Sequence, residues 1–257
     1  MEYVIICLVA FLTSILTFFS GFGLGTILLP VFALFFPVEL AVALTGVVHF
    51  FNNIFKLFLV GKNASKIVLI HFGIPAILAA ILGAYILINI TEIKPLYSYT
   101  LGSKNFEITT VKLVIASLLI VFAIMELVPF LKKLKFDKKQ LPIGGALSGF
   151  FGGLSGHQGA LRSAFLINSG LTKETFIGTT VVISCLVDFS RLSVYSTRFF
   201  ESGLHENITL IVIATLSAIT GAIIGNKLLK KVTLKFIQKL IAILLIGVSM
   251  ALGLGII

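Results

Sequence analysis

Two short glycine-rich segments, SGFGLG at Ser20–Gly25 and SGHQGA at Ser155–Ala160, interrupt otherwise apolar sequence and lie 135 residues apart. Glycine lets two backbones approach closely and leaves amide groups free. A break of this kind inside an apolar run therefore predicts a helix that stops and starts again. In each half of the chain, a long apolar helix with polar residues on one face follows the break.

The repeat extends beyond the two breaks. With the same offset of 135, four further positions match, which are Glu39 with Glu174, Thr45 with Thr180, Asn53 with Asp188, and Lys56 with Arg191. Matches between polar residues inside apolar sequence are hard to obtain by chance. We predict one membrane domain made of two repeats, residues 1–131 and 132–257, joined by the lysine-rich segment KKLKFDKK at Lys132–Lys139.

The composition excludes a soluble protein. Hydrophobic residues make up 58 % of the 257 residues and charged residues only 12 %, whereas soluble domains carry about 25 % charged residues. Apolar runs such as Lys66–Ile90 reach the roughly 20 residues that a helix needs to cross a bilayer. Backbone groups in lipid must be satisfied within the segment. We therefore predict an all-α polytopic membrane protein.

Each half is predicted to be a glycine-broken helical hairpin followed by three transmembrane helices. The hairpins are Tyr3–Phe36 and Leu141–Asn168, and the helices are Glu39–Val60, Lys66–Ile90, Ile108–Phe130, Lys173–Tyr195, Leu204–Leu229 and Leu234–Ile257. The net charge of +10 resides in short loops. Membrane topology accounts for these charges, so nucleic acid is not an expected partner.

The loop charges favour hairpins that return to the side where they begin. One side of the membrane then carries 12 basic residues, which are Lys62, Lys66, Lys132, Lys133, Lys135, Lys138, Lys139, Lys173, Lys227, Lys230, Lys231 and Lys235. The other side carries 3, which are Lys94, Lys104 and Arg198. A single crossing would give 8 against 7. The positive-inside rule thus predicts inverted repeats in the plasma membrane, with both termini outside and residues 132–139 cytoplasmic.

Polar side chains form a stripe on the first long helix after each hairpin. The stripes consist of Thr45, His49, Asn52, Asn53 and Lys56 in the first half, and of Thr180, Ser184, Asp188 and Arg191 in the second. Steps of three and four place each set on one helical face. A charge at the bilayer centre costs about 2.5–3.5 kcal/mol on insertion scales, so these residues are candidates for substrate binding.

Several of these residues have two interpretations. Lys56 and Arg191 either contribute to a site or extend to the membrane interface. Asp188 either binds a coupling ion or only neutralises Arg191. Histidine changes its charge near neutral pH, so His49 either couples proton movement or is a satisfied structural residue. We take Asp188 and His49 as candidate coupling residues for protons or sodium ions.

The hairpin tips are candidates for an anion site. The second tip, GGLSGHQGALRS at Gly152–Ser163, contains His157, Gln158 and Arg162 between Gly156 and Gly159. Helices that begin at a tip direct free N–H groups and a positive partial charge toward it, which favours an anion. The first tip contributes Gly21 and Gly23. Alternatively, the glycines only permit close helix packing.

No enzyme signature is present in the sequence. It contains no phosphate-binding loop of the Walker type, no HExxH segment and no spacing typical of a metal site, so we expect neither an enzyme nor a cofactor or metal. An intramembrane enzyme that uses His49 or His157 with Asp188 is one alternative. A non-transporting membrane subunit is another.

The paired segments SGFGLGTILLP and GGLSGHQGALRSAFL, followed by AVALTGVV and FIGTTVVIS, resemble the TauE/SafE sulfite-exporter family over nearly the whole chain. The resemblance implies a secondary permease for sulfite, sulfonates or related small organic anions. Together with the chemistry, it favours Arg162, His157, Gln158 and Arg191 as anion contacts. The first half departs from this pattern, because Ile27 stands where the second half has Arg162.

Overall fold

The computed structural model describes residues 1–18, 23–127, 136–167, 169–199, 203–228 and 234–257. The first half contains α1 (Glu2–Thr17), α2 (Leu24–Ala33), α3 (Val38–Val60), α4 (Lys66–Ile90, with a π-helical turn at Leu69–Gly73) and α5 (Thr110–Leu127). The second half contains α6 (Leu141–Ser155), α7 (Gly159–Leu166), α8 (Lys173–Phe199), α9 (Ile208–Leu228) and α10 (Leu234–Gly253).

The second predicted break coincides with a gap between two helices, and α2 begins within the first predicted break. Helix α6 ends at Ser155 and α7 begins at Gly159. Gly156 ends α6 with a φ of 80°, and Gly23 precedes α2 with a φ of 116°. These positive φ values are available to glycine at little cost. Gly21 lies outside the described residues.

Four helices of the described residues are long and apolar enough to cross a membrane. They are Val38–Asn63, Lys66–Ile90, Lys173–Phe199 and Ile208–Lys227. Large apolar side chains also face outward: Phe58 is 83 % exposed and Leu78 65 % exposed. Such an apolar exterior requires lipid rather than water around it. The prediction of a helical, multi-pass membrane protein is therefore confirmed.

The helices of the two halves pack against each other in matching pairs. Helix α3 packs on α8, and α5 packs on α10. The hairpin arms are exchanged, because α1 of the first half packs on α9 of the second, whereas α6 of the second half packs on α4 of the first. Each half thus completes the packing of the other.

Glycines bring these pairs into backbone contact. A Cβ atom at Gly149 of α6 would lie 2.0 Å from the Ala76 carbonyl oxygen, and one at Gly153 would lie equally close to the Ala80 carbonyl oxygen. At Gly221 of α9, a Cβ would lie 2.3 Å from the carbonyl oxygen of Phe11 on α1. Small residues at such positions are the usual means of close helix packing in membranes.

A short β-hairpin, absent from the sequence prediction, joins α4 to α5. Strands β1 (Tyr97–Leu101) and β2 (Lys104–Ile108) pair antiparallel. The Tyr99 hydroxyl donates to the Leu254 carbonyl oxygen at 2.6 Å, so the hairpin is bonded to the C-terminal end of the chain. The predicted span Ile108–Phe130 consequently begins two residues too early, because Ile108 belongs to β2.

Candidate functional site

The carboxylate of Asp188 is the centre of a buried polar cluster between the two halves. Asp188 lies on α8 and is 0 % exposed. Its Oδ1 accepts hydrogen bonds from Arg191 Nε at 3.0 Å and from Gln158 Nε2 at 3.3 Å. Arg191 Nη2 lies 2.9 Å from the same oxygen. A carboxylate buried this deeply requires such partners, because an unpaired charge in an apolar interior is costly.

The other oxygen of Asp188 contacts the first half. Asp188 Oδ2 lies 2.6 Å from Nδ1 of His49 on α3. The amide nitrogen of Asn53 lies 3.1 Å from His49 Nδ1 and 3.2 Å from Nε2, so Asn53 contacts the imidazole ring at both nitrogens. His49 therefore connects the Asp188 carboxylate to the polar stripe of α3.

Gln158, at the second hairpin tip, bridges Asp188 to a second guanidinium group. Its Nε2 donates to Asp188, while its Oε1 accepts from Arg162 Nη1 at 3.0 Å. The backbone of the tip is fixed as well, because the Ser148 hydroxyl donates to the Gln158 carbonyl oxygen at 2.9 Å. Arg162 is 1 % exposed although it lies only one turn into α7.

Arg191 lies between two glycines that leave space for its guanidinium group. A Cβ at Gly156 would lie 2.9 Å from Arg191 Nη1, and a Cβ at Gly46 would lie 3.2 Å from Nη2. The Tyr195 ring centroid lies 6.0 Å from the guanidinium carbon. Nε and Nη2 are occupied by Asp188, but buried Nη1 has no hydrogen-bond acceptor among the described residues. The guanidinium group thus presents an unused donor to the glycine tip.

His157 follows Gly156 directly in the chain and is also buried. Its Nδ1 donates to the Ser155 carbonyl oxygen at 3.0 Å. The ring stacks on Phe122 of α5, with 5.3 Å between the centroids. Its Nε2 has no partner within the described part of the chain. In the neutral ring this nitrogen accepts a hydrogen bond, and in the protonated ring it donates one.

The first hairpin approaches the same cluster through α2. A Cβ at Gly25, in the first turn of α2, would lie 3.5 Å from His49 Cδ2 and 3.8 Å from Thr45 Cγ2. Thr45 is 2 % exposed, and its hydroxyl has no partner among the residues described. Gly23 is buried directly before α2. The start of α2 and the start of α7 therefore both lie beside residues of the cluster.

The remaining predicted residues of α7 and α8 are buried. Thr180 donates to the Ile177 carbonyl oxygen of its own helix at 2.9 Å. Ser184 is 2 % exposed and lies one turn before Asp188. Gly159 is the buried first residue of α7.

Asn52 belongs to a neighbouring polar group rather than to the Asp188 cluster. In the amide orientation that satisfies both of its ends, Asn52 accepts from Lys56 Nζ at 3.2 Å and donates to the Ala218 carbonyl oxygen at 3.3 Å. Lys56 is 7 % exposed. Lys56 and Arg191 are both buried within the helix bundle, whereas side chains that extend to the membrane interface would be expected to be more exposed.

Four residues that support the cluster were not identified from the sequence. Ser148 fixes the tip, Phe122 stacks on His157, Gly46 makes room for Arg191, and the Tyr195 hydroxyl donates to the Gly153 carbonyl oxygen. Tyr195 lies one turn after Arg191 on the same helical face, so the spacing offered a signal for it. Phe122 lies on another helix within apolar sequence, and nothing in that sequence indicates its contact with His157.

The helical bundle with its apolar exterior defines a membrane protein, and a buried polar cluster lies between its two halves. The family model described as "Sulfite exporter TauE/SafE" matches residues 6–252. The chain therefore belongs to the TauE/SafE sulfite exporter family, as its glycine-rich segments indicate. No curated protein and no solved structure matches the chain.

Proposed function

We propose that the protein is a secondary transporter of small anions, either sulfur-containing anions such as sulfite and sulfonates or related organic anions. The observation that carries this proposal is the unused Nη1 donor of Arg191, buried beside Gly156 at the hairpin tip. A buried N–H without an acceptor is costly, and an anion at the tip removes that cost. The proposal assigns the chain no catalytic reaction and no cofactor.

The anion site lies where the two hairpin tips meet, near the bilayer midplane. Arg191, Arg162, Gln158 and His157 supply side-chain contacts, and the first N–H groups of α7 add a positive partial charge. Each of these four side chains is at most 3 % exposed. Residues buried to this degree fit an occluded state, from which the site opens to one side of the membrane at a time.

The two halves, residues 1–131 and 132–257, form inverted repeats in the plasma membrane, with both termini outside and residues 132–139 cytoplasmic. The exchange of hairpin arms supports this arrangement, since α1 packs on α9 as α6 packs on α4. Transporters built from inverted repeats with broken helices bind their substrates at the repeat interface. Rocking of one half against the other would then expose the site alternately.

Coupling to protons or sodium ions takes place at His49 and Asp188. The 2.6 Å contact between them favours protons. Protonation of His49 creates an imidazolium, which attracts the Asp188 carboxylate in competition with Arg191. The N–H groups of Arg191 then become available to the substrate anion. Anion and proton consequently bind together and cross together.

Flux into proteoliposomes tests the proposal. Vesicles with the purified protein receive sulfite, sulfate, thiosulfate, taurine or a small carboxylate under a pH or sodium gradient. We expect one anion class to move, and Arg162→Ala to abolish its movement. Arg198→Ala removes an exposed arginine on α8 and serves as the control with retained flux. The absence of flux for every anion under both gradients would overturn the proposal.

A further inference from the structure

Lys56 occupies the position in the first half that Arg191 occupies in the second, because the two residues share the offset of 135. Both lie on the paired helices α3 and α8, and both are buried. Lys56 Nζ donates to Asn52 and lies 5.4 Å above the ring of Phe18, at the end of α1. The first half thus has its own buried cation next to its own hairpin.

The surroundings of the two cations differ in one decisive respect. Arg191 is paired with Asp188, whereas the residue that matches Asp188 in the first half is the neutral Asn53. Among the residues that the structure describes, no carboxylate lies within 4.0 Å of Lys56 Nζ. A buried ammonium group without a counter-ion is unfavourable. An anion bound at Lys56 would supply the missing charge.

Polar groups of α1 and α9 lie beside Asn52. The Ser14 hydroxyl lies 3.4 Å from the Asn52 side chain, and the Ala218 carbonyl oxygen accepts from Asn52. Hydroxyl groups donate to oxyanions as readily as they accept, so Ser14 suits a small oxyanion.

A cavity lies beside the Phe18 ring. It has a volume of about 190 Å³ and is lined by Phe18, Val60, Lys173 and Asn226, among others. Phe18 is common to both places, because the same ring lies under Lys56 Nζ and borders the cavity. Lys173 and Glu174 both line the cavity, so its lining contains charges of both signs.

We propose that Lys56 forms a second binding site for a small anion, between this cavity and the Arg191 site. The inference rests on the proposed anion transport. Lys56 lies seven positions after His49 on α3, a rise of about 10 Å. Asn53 lies between them and contacts the His49 ring. The substrate anion thus passes from the Lys56 site to the Arg191 site along the polar stripe of α3.

Binding stoichiometry tests the inference. The purified full-length protein is dialysed to equilibrium against sulfite, thiosulfate and taurine, each labelled with sulfur-35. We expect two bound anions per chain in the wild type and one in Lys56→Met. Lys56→Arg retains the charge and is expected to retain two anions. Lys62→Met removes an exposed lysine near the end of α3 and serves as the matched control.

Each outcome has a distinct meaning. If Lys56→Met still binds two anions, the Lys56 site is overturned. The same holds if the wild type binds one anion and only Arg191→Met removes it. Either result leaves the proposed function intact. No bound anion in the wild type would overturn both. A structural role of Lys56 alone would lower thermal stability without changing the number of anions bound. Size-exclusion profiles of the variants establish that each is folded.

Discussion

His49 Nδ1 of α3 and Asp188 Oδ2 of α8 lie 2.6 Å apart, although 139 residues separate them in the chain. The contact joins the polar stripe of the first half to the only carboxylate in the described part of the cluster. Because Asp188 also binds Arg191 and Gln158, a change at His49 alters the charge balance at the hairpin tip.

His49→Gln should separate coupling from transport. Glutamine keeps a donor for Asp188 but cannot carry the proton, so uptake driven by a pH gradient should fall about tenfold, a factor equivalent to 1.4 kcal/mol. Exchange of labelled for unlabelled anion without a gradient should persist. Both fluxes are measured in the same vesicles, with His71→Gln, an exposed histidine of α4, as the control. Equal loss of both fluxes would assign His49 a purely structural role.

Asp188→Asn should destabilise the protein as well as stop transport. The change leaves Arg191 buried without its carboxylate, and breaking such a pair costs about 3–5 kcal/mol. Thermal unfolding in detergent measures the loss. Glu174→Gln, on the exposed first turn of the same helix, should leave stability almost unchanged. A wild-type melting temperature for Asp188→Asn would contradict the central role given to this carboxylate.

Gly156→Ala should lower anion flux through contact with Arg191. The added methyl group would lie 2.9 Å from Arg191 Nη1, at a φ of 80°. Gly170→Ala provides a matched control, because Gly170 has a φ of 76° with nothing within 4 Å of the added atom. Both variants should lose about 1–2 kcal/mol of stability from the left-handed backbone. Only Gly156→Ala should lose flux, and similar fluxes in the two variants would refute the contact.

Gly149→Ala should disrupt the packing of α6 on α4. The methyl group would meet the Ala76 carbonyl oxygen at 2.0 Å, where neither backbone can yield without moving a helix. Overpacking of this kind costs about 1–3 kcal/mol or more. Gly247→Ala on α10 has open space around the added atom and should gain up to about 1 kcal/mol. Melting temperatures in detergent measure both effects: we expect a decrease for Gly149→Ala and an increase for Gly247→Ala.

Tyr195→Phe should destabilise the protein more than Tyr99→Phe. Both hydroxyl groups donate to a backbone carbonyl oxygen, but Tyr195 is 0 % exposed whereas the Tyr99 bond is exposed. Loss of the donor leaves the buried Gly153 carbonyl oxygen without that bond, which costs about 1–3 kcal/mol. In Tyr99→Phe, water can bind the exposed Leu254 carbonyl oxygen in place of the lost hydroxyl group. Equal effects in unfolding experiments would show that burial of the Gly153 oxygen is incomplete.

The sequence by itself determined the class of the protein and its family. Apolar runs such as Lys66–Ile90 are long enough to require lipid, and the helices of the structure follow them. The breaks at Gly23 and Gly156 could be predicted from the sequence, because backbone positions with positive φ values favour glycine. The polar stripe of α8 was readable because a helix has a fixed period. The inverted orientation of the halves stays a prediction from loop lysines.

Only the tertiary structure decided which polar residues meet. The stripe of α3 contains both His49 and Lys56, but His49 contacts Asp188 while Lys56 binds Asn52 beside α1 and α9. Helical periodicity gives the face of a residue and not the helix that covers it. The pairing of α3 with α8, and the exchange of the hairpin arms, arise from packing between segments that are far apart in the chain. That packing divides one polar stripe between two separate groups of contacts.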